Sequence, residues 1–219
     1  DEALGTAHAI LCAQEIMEGN IVVAFADTLF KADFTLDTGK EGIIWVQKVE
    51  DPRAFGVVKL NANNEITDLV EKPQEFVSDL AIIGIYYIKD GAYLRSELQY
   101  LLDNNIKDKG EFQLTNALEN MKNKGTKFVP GKVTEWLDCG NKNATVYTNQ
   151  RYLEFIKDRD LIAKSAKINN SVIIPPVYIG EGVELNNTVL GPHASVGDKT
   201  RIDDSRIQNA IIQKESVIK

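Results

Sequence analysis

The sequence is poor in three features that would each point to a class of function. It holds only two cysteines, Cys12 and Cys139, and neither lies at a spacing typical of a metal site. Its longest apolar run, residues 81–88, is too short to span a bilayer. No cluster of lysine and arginine is present, and the net charge is −7. We therefore expect reduced thiols in a cytoplasmic protein that binds neither membranes nor nucleic acid polymers.

The composition is that of an ordinary globular protein, 43% hydrophobic and 26% charged over 219 residues. Strand-like and helix-like segments alternate in residues 1–156, which is typical of an α/β layered fold. Further along, strands are predicted at Gly42–Val49, Gly56–Leu60, Ile66–Val70 and Ala81–Ile88, and helices at Ala92–Asn104, Leu114–Lys124 and Asn143–Ile156. The polar residues 61–64 predict a hairpin between the second and third of these strands.

The first predicted helix and strand lead to a candidate functional residue. Thr6 can cap a helix whose apolar stripe consists of Ala9, Ala13, Ile16 and Met17. The run Ile21–Ala26 that follows is apolar without alternation, which favours a strand buried on both faces in the middle of a parallel sheet. Asp27 comes directly after it, and ligands bind beyond the carboxyl ends of such strands.

The pattern changes after residue 156. Aliphatic residues recur there at strides of five or six, namely Ile168, Ile174, Ile179, Leu185, Leu190, Val196, Ile202, Ile207, Ile212 and Ile218. This hexapeptide pattern predicts a parallel β-helix, in which each repeat forms one side of a triangular coil. We therefore assign residues 1–156 to a first domain, 157–166 to a charged linker and 167–219 to the β-helix, through which we expect the protein to form a homo-oligomer.

Two aspartates are candidate metal ligands. Asp138, in the segment Trp136–Gly140, follows a short apolar stretch just as Asp27 does. Two carboxylates at strand ends can hold one Mg²⁺, while phosphate oxygens and water complete its shell. The alternative is that each aspartate only caps the turn that follows it.

The segment Glu71-Lys72-Pro73 is a candidate phosphate site. Pro73 biases Lys72 to an extended conformation, which would aim its ammonium group in a fixed direction. The alternative is a solvated Glu-Lys pair at a strand end. His8 and His193 are isolated, and we expect a surface or capping role for each.

Seven segments, in this order, resemble the motifs of the sugar nucleotidyltransferases of the glucose-1-phosphate thymidylyl/uridylyltransferase type. They are Leu4–Ala7 (LGTA), Phe25–Thr28 (FADT), Ala54–Val58 (AFGVV), Glu71–Pro73 (EKP), Ile83–Tyr86 (IGIY), Gly110–Thr115 (GEFQLT) and Trp136–Gly140 (WLDCG). The resemblance implies a Rossmann-like (GT-A-like) α/β fold with a mixed sheet, incomplete at its N-terminus, and a short left-handed parallel β-helix, which many members carry.

The resemblance also implies a role for each matching residue. Asp27 and Asp138 would ligate Mg²⁺, and Lys72 would contact the sugar phosphate. The sugar hydroxyls would bind Glu71, the sugar ring would lie against the backbones of Gly56 and Gly84, and the nucleoside would lie near Gly5 and Thr6. An oxygen of the sugar 1-phosphate would attack the α-phosphate of a nucleoside triphosphate, dTTP or UTP, and release pyrophosphate.

The chain departs from the family pattern in three places. The glycine-rich loop G-x-G-T-R-L, which cradles the triphosphate, is absent, so that we expect the 219 residues alone to be inactive. Ala26 and Thr28 replace the glycine and asparagine that flank the metal-binding aspartate. These two changes leave open a non-catalytic sugar-nucleotide-binding regulator or scaffold. A hexapeptide-repeat acyltransferase is a further alternative, and its one candidate base is His193.

Overall fold

The computed structural model describes residues 4–33 and 35–219. The chain forms two compact units, Asp1–Trp136 and Leu137–Lys219. We refer to them as the sheet unit and the solenoid unit. The predicted domain boundary after residue 156 is a different division of the chain, and it stays a prediction. Among the described residues, no helix is long and apolar enough to cross a membrane.

The sheet unit is built on a mixed sheet. Its strands are β1 (Ile21–Ala24), β3 (Gly42–Lys48), β4 (Val57–Leu60), β5 (Ile66–Val70), β6 (Leu80–Ile88) and β7 (Phe128–Lys132). The order is β5-β4-β6-β3-β7, and β1 pairs with β6. Only β3 and β7 run parallel, and the other pairs are antiparallel. A short strand β2 (Thr28–Lys31) pairs separately with β8 (Glu135–Asp138), within which the division between the units falls.

The central strand β6 has a hydrophobic cluster on each of its faces. Ile82, Tyr86 and Ile88 belong to the larger cluster, together with leucines of the helices α2 (Gly91–Asp103) and α3 (Leu114–Asn123). Ile83, Ile85 and Tyr87 point the other way, into a smaller cluster with Trp45. Because both faces are covered, the strand is apolar without alternation. The predicted mixed sheet is also confirmed, because β3 pairs antiparallel with β6 and parallel with β7.

The prediction for residues 21–26 was wrong in its topology. β1 ends at Ala24 and runs antiparallel to β6. Its exposure alternates, because Ile21 and Val23 pack on the larger cluster whereas Val22 is 58% exposed. A short apolar run fits a half-buried strand as well as a fully buried one, so that apolarity alone did not decide the environment.

The first helix is shorter than predicted and buries another face. α1 covers Thr6–Leu11, and its buried residues are Ala7 and Leu11, whereas Ala9 is exposed. Gly5 rather than Thr6 occupies the N-cap position. The Thr6 hydroxyl instead accepts a hydrogen bond from the Leu114 N–H at 2.9 Å, which ties this helix to the start of α3.

The sequence analysis did not predict two strands, because their residues are not typical of strands. β2 is largely exposed, and β7 contains Pro130 and Gly131. Gly131 is required by its neighbour, since a Cβ there would lie 2.7 Å from the Trp45 ring. The predicted hairpin is confirmed, since β4 and β5 pair through a turn in which Asn64 adopts a φ of 60°.

The solenoid unit is helix α4 (Lys142–Ile156) followed by ten short strands. They are β9 (Lys167–Asn169), β10 (Val172–Ile173), β11 (Val177–Ile179), β12 (Glu184–Asn186), β13 (Val189–Leu190), β14 (Ala194–Val196), β15 (Arg201–Asp203), β16 (Arg206–Ile207), β17 (Ala210–Ile212) and β18 (Val217–Ile218). They form three parallel sheets, β10-β13-β16, β11-β14-β17 and β18-β15-β12-β9, as the predicted β-helix requires.

The register of the coils agrees with the predicted repeat at nine of its ten positions. Successive coils are offset by 17 residues at most positions, as in the pairing of Leu185 with Ile202. The exception is the predicted position Ile174, which is exposed, because Ile173 pairs with Leu190 and packs on the coil interior instead. With Ile173 in place of Ile174, each coil contains a stride of five residues at the same place, from Ile168, Leu185 or Ile202.

Candidate active site

The turn that carries Asp27 connects β1 to β2 and is held against β6 at two points. The Phe25 N–H donates to the Gly84 carbonyl at 2.9 Å, and the Thr28 hydroxyl donates to the Ile83 carbonyl at 2.9 Å. Asp27 itself is exposed, and no described residue forms a hydrogen bond or ion pair with its carboxylate. The strand therefore fixes the backbone of the turn and leaves the carboxylate available.

Gly84 is needed where this turn meets β6. Its φ is +82°, and a Cβ there would lie 3.0 Å from Cδ2 of Phe25 and 3.2 Å from Oγ1 of Thr28. The glycine therefore makes room for the Asp27 turn. This gives a reason for the glycine within the protein itself, and the predicted contact of Gly84 with a sugar stays a prediction.

A second cluster surrounds Glu71, at the end of β5. Its Oε2 atom accepts a hydrogen bond from the Thr115 hydroxyl at 2.6 Å, and a Cβ on Gly56 would lie 3.0 Å from the same oxygen. Burial, together with the Glu71 carboxylate, raises the pKa of the Tyr86 phenol above its ordinary value. Glu71, Thr115, Gly56 and Tyr86 therefore form one polar cluster.

Lys72 lies beside this cluster in a conformation opposite to the predicted one. Its φ is 40°, in the left-handed region, whereas the proline that follows favours an extended residue. The conformation is supported by three hydrogen bonds. The Lys72 N–H donates to the Phe55 carbonyl at 3.1 Å, and its carbonyl accepts from Lys109 Nζ at 2.7 Å and from Gln74 Nε2 at 3.4 Å.

The Lys72 ammonium group is partly exposed. Its Nζ atom lies 3.9 Å from Oε1 of Glu71, and its side chain is 47% exposed, whereas that of Glu71 is only 13% exposed. This arrangement combines a largely buried carboxylate, which can accept hydrogen bonds from hydroxyl groups, with an accessible cation, which can bind a phosphate. The structure thus brings the predicted residues Gly56, Glu71 and Lys72 together.

The predicted nucleoside residues, at the start of α1, pack against the start of α3. Gly5 has a φ of +105°, and a Cβ there would lie 2.5 Å from the Phe112 carbonyl oxygen. The Thr6 hydroxyl donates to Oε1 of Gln113 at 3.2 Å and accepts from Leu114. Since Thr115 follows one residue later, this segment and the Glu71 cluster share one helix terminus. Contact with a nucleoside stays a prediction.

Asp138 lies in the solenoid unit, as the last residue of β8. Its Oδ1 atom accepts a hydrogen bond from the Gly140 N–H at 2.9 Å. Its carbonyl oxygen accepts from the hydroxyl of Thr148 on α4 at 2.6 Å. One carboxylate oxygen, Oδ2, has no hydrogen-bond donor among the described residues.

The predicted metal ligands offer carboxylate oxygens, which are the donors that Mg²⁺ prefers. Within residues 4–33 and 35–219, no three His, Cys, Asp or Glu side chains are grouped as a metal would require. Asp27 and Asp138 each offer a carboxylate oxygen that no described donor occupies. Mg²⁺ is commonly held by one or two carboxylates, with substrate phosphates and water as further ligands. Each aspartate, taken by itself, therefore offers an oxygen donor of the type that Mg²⁺ takes, and a shared ion stays a prediction.

His193 is paired with a carboxylate. Its Nε2 atom lies 2.8 Å from Oε1 of Glu154 on α4. Hydrogen bonds from His193 and Lys157 hold the pKa of Glu154 below its ordinary value. The histidine therefore takes part in a contact between α4 and the solenoid.

Two residues of the Glu71 cluster, and one that contacts Lys72, were missed by the sequence analysis. Thr115 and Tyr86 end two of the family-like segments, and Lys109 comes just before one of them. A hydrogen-bonding side chain at the edge of a motif is the signal that could have found them. Their pairing with Glu71 or Lys72 could not be predicted, because each contact joins residues far apart in sequence.

Comparison with known proteins gives a consistent result. The family model described as nucleotidyl transferase matches residues 1–154. The glucose-1-phosphate thymidylyltransferase of Streptomyces antibioticus is 28% identical over 239 aligned residues, which cover 98% of this chain and 65% of the relative. The bifunctional protein GlmU of Methanococcus vannielii is 30% identical over 190 residues, which cover 84% of this chain and 44% of the relative. The chain thus spans less than two thirds of each relative.

The fold also resembles that of a solved structure. The crystal structure of a candidate glucose-1-phosphate thymidylyltransferase from Bacillus anthracis, in complex with a sucrose, superimposes with a TM-score of 0.55 at 22% identity. The match covers 73% of this chain and 64% of the other. At this identity the likeness concerns the fold alone.

Proposed function

We propose that the chain, which belongs to the nucleotidyl transferase family, acts in a sugar-1-phosphate nucleotidyltransferase. The enzyme would join a nucleoside triphosphate to a sugar 1-phosphate and release pyrophosphate. The observation that carries the proposal is the Glu71–Lys72 arrangement, in which a largely buried carboxylate lies beside an accessible ammonium group. A phosphorylated sugar offers a partner to each of these two groups.

The Glu71 cluster would bind the sugar 1-phosphate. The Glu71 carboxylate, held by Thr115, would accept hydrogen bonds from sugar hydroxyls. Gly56 leaves that carboxylate uncovered, since a Cβ there would crowd Oε2. The Lys72 ammonium would bind the phosphate, and the hydrogen bond from Lys109 to the Lys72 carbonyl would keep Lys72 in place. The sugar ring would lie against the backbones of Gly56 and Gly84, and the nucleoside would lie near Gly5 and Thr6.

Asp27 and Asp138 would each supply a carboxylate oxygen to Mg²⁺. When bound, the ion neutralises charge on phosphate oxygens and polarises phosphorus. The chain contributes by holding each carboxylate in place, through β6 for Asp27 and through α4 for Asp138. Positioning two polyanions for reaction is the largest task of such an enzyme.

The reaction is an in-line displacement at the α-phosphorus. An oxygen of the sugar 1-phosphate forms the new bond to this phosphorus, and the bond to the bridging oxygen of the β-phosphate breaks. Pyrophosphate leaves with the bonding electrons. Glucose 1-phosphate with dTTP or UTP is the first substrate combination to test, because a relative carries the name glucose-1-phosphate thymidylyltransferase.

Further parts of the proposal concern the complete protein. We expect it to be cytoplasmic and to form a homo-oligomer through the solenoid. The 219 residues contain no G-x-G-T-R-L loop, so that we expect them alone to bind a sugar phosphate without forming a nucleotide sugar.

A calorimetric titration of the 219-residue chain with glucose 1-phosphate tests the sugar-phosphate site. Lys72→Gln removes the cation, and we expect the affinity to fall by about tenfold or more. Lys59→Gln is the matched control, since Lys59 is an exposed lysine on the neighbouring strand β4. Equal affinities for wild type and Lys72→Gln would contradict this site.

A non-catalytic regulator is the second candidate, and one observation favours it. The Thr28 hydroxyl, which stands where the family has an asparagine amide, is committed to the Ile83 carbonyl. It therefore does not replace that amide at a ligand. Pyrophosphate release by the complete gene product would exclude the regulator.

A further inference from the structure

Helix α4 connects the Asp138 turn to the solenoid. The helix begins just after this turn, where Asn141 caps it by accepting from the Ala144 N–H at 3.0 Å. It packs against the strands β14 and β17. Every residue in this connection belongs to the solenoid unit.

A buried hydroxyl of α4 forms the contact with the Asp138 turn. Thr148 is 4% exposed, and its hydroxyl donates to the Asp138 carbonyl at 2.6 Å. The hydroxyl of Thr145, one turn earlier, lies 2.8 Å from the Asn141 carbonyl and 3.1 Å from the Cys139 carbonyl, so that its one proton is shared between them. Thr148 is therefore the threonine whose hydroxyl bonds to Asp138 alone.

Asn149, the residue that follows Thr148, forms the contact with the solenoid. Asn149 Oδ1 accepts a hydrogen bond from the Ser195 hydroxyl at 2.6 Å. Ser195 lies in β14 between Ala194 and Val196, which are both fully buried in the coil. The serine is therefore carried by a rigid part of the solenoid. A second contact, from His193 to Glu154, fastens the end of the same helix.

We propose that Thr148 is a positioning residue for Asp138 and that the solenoid fixes the helical turn that carries it, through Ser195 and Asn149. The solenoid would then have a role in the reaction besides any role in assembly. The inference rests on the proposed function in one respect, namely that Asp138 is a metal ligand. Residues that orient a ligand commonly affect metal affinity by 10–100-fold.

The mobility of the Asp138 turn tests the positioning without any ligand. We would measure the ¹⁵N order parameter of the Gly140 amide by NMR in the 219-residue chain. Thr148→Val removes only the hydroxyl, and we expect the order parameter to fall from about 0.85 toward 0.6. Thr148→Ser restores the hydroxyl and should restore the wild-type value.

Thr200→Val is the matched control. Thr200 is also fully buried in the solenoid unit, and its hydroxyl donates to a backbone carbonyl, that of Gln213 at 3.0 Å. This variant should lose stability without changing the Gly140 amide. An unchanged order parameter in Thr148→Val, or an equal fall in Thr200→Val, would overturn the inference.

Binding of Mn²⁺ by the same chain, followed by electron paramagnetic resonance, tests the consequence for the metal. We expect Thr148→Val to weaken Mn²⁺ binding by about tenfold, Ser195→Ala to weaken it less, and Thr148→Ser and Thr200→Val to leave it unchanged. If Asp138→Asn weakens binding and Thr148→Val does not, the positioning role is wrong. If Asp138→Asn has no effect, the metal role of Asp138 is wrong instead.

Discussion

The two aspartate turns are supported in different ways. The Asp27 turn is held by strand pairing, because the Phe25 amide and the Thr28 hydroxyl both bond to β6, more than fifty residues away in sequence. The Asp138 turn follows β8, which pairs with β2, and is held on its other side by the helix that follows it, since Thr148 lies only ten residues further on. That helix in turn depends on Ser195, 46 residues beyond Asn149.

The difference shows where each turn can be disturbed. The support of Asp27 includes a backbone hydrogen bond, which a side-chain substitution does not remove. Beyond the pairing of β8 with β2, the support of Asp138 comes from the Thr148 hydroxyl, which a single substitution can remove. The Asp138 turn is therefore the more sensitive of the two to mutation.

The largest effect is expected when the carboxylates themselves are changed. Asp27→Asn and Asp138→Asn each replace a charged metal ligand by a neutral one, and pyrophosphate release by the complete gene product should fall by about a hundredfold or more. Steady-state rates at several Mg²⁺ concentrations would measure this fall. Loss of activity in one variant and full activity in the other would contradict the account, since only one of the two aspartates would then bind the metal.

Gly84→Ala disturbs the support of the Asp27 turn alone. The new methyl group would crowd Phe25 and Thr28, and alanine is strained at a φ of +82°. We expect a loss of about 2–3 kcal/mol in the free energy of unfolding, measured by urea denaturation.

Gly125→Ala is the control for the strain. Gly125 also has a positive φ, +107°, but a Cβ there would meet no atom within 4 Å. This variant should lose only about 1 kcal/mol. Equal losses in the two variants would mean that the contact with the Asp27 turn has no energetic weight.

The smallest effect is expected from Thr28→Val. It removes the hydrogen bond to Ile83 but leaves the Phe25 amide bonded to Gly84. Mn²⁺ affinity of the 219-residue chain should fall by no more than about threefold, compared with about tenfold for Thr148→Val. A larger effect of Thr28→Val than of Thr148→Val would reverse the comparison.

How much of the fold could be predicted also differs between the two units. The solenoid repeats a local pattern, so that nine of ten coil positions follow from the spacing of aliphatic residues. In the sheet unit the strand positions β3 to β6 were predicted, but the direction of β1 was not. Strand direction depends on pairing between segments that are distant in sequence, and apolarity does not encode it.

The candidate site follows the same rule. The motifs located Glu71 and Lys72, but they did not reveal the hydrogen bond from Thr115 or the contact from Lys109. The left-handed conformation of Lys72 runs against the preference set by Pro73. Hydrogen bonds with Phe55, Gln74 and Lys109 support it. The sequence thus predicted which residues form the candidate site. It did not predict the hydrogen bonds that hold them in place, because these depend on the tertiary fold.

Pyrophosphate release by the complete gene product, with Mg²⁺, glucose 1-phosphate and either dTTP or UTP, tests the central claim most directly. We expect pyrophosphate and a nucleotide sugar in equal amounts with one of the two triphosphates, and no release when EDTA removes the metal. No release with these or with a panel of other sugar phosphates and triphosphates would contradict the account and leave the regulator as the function.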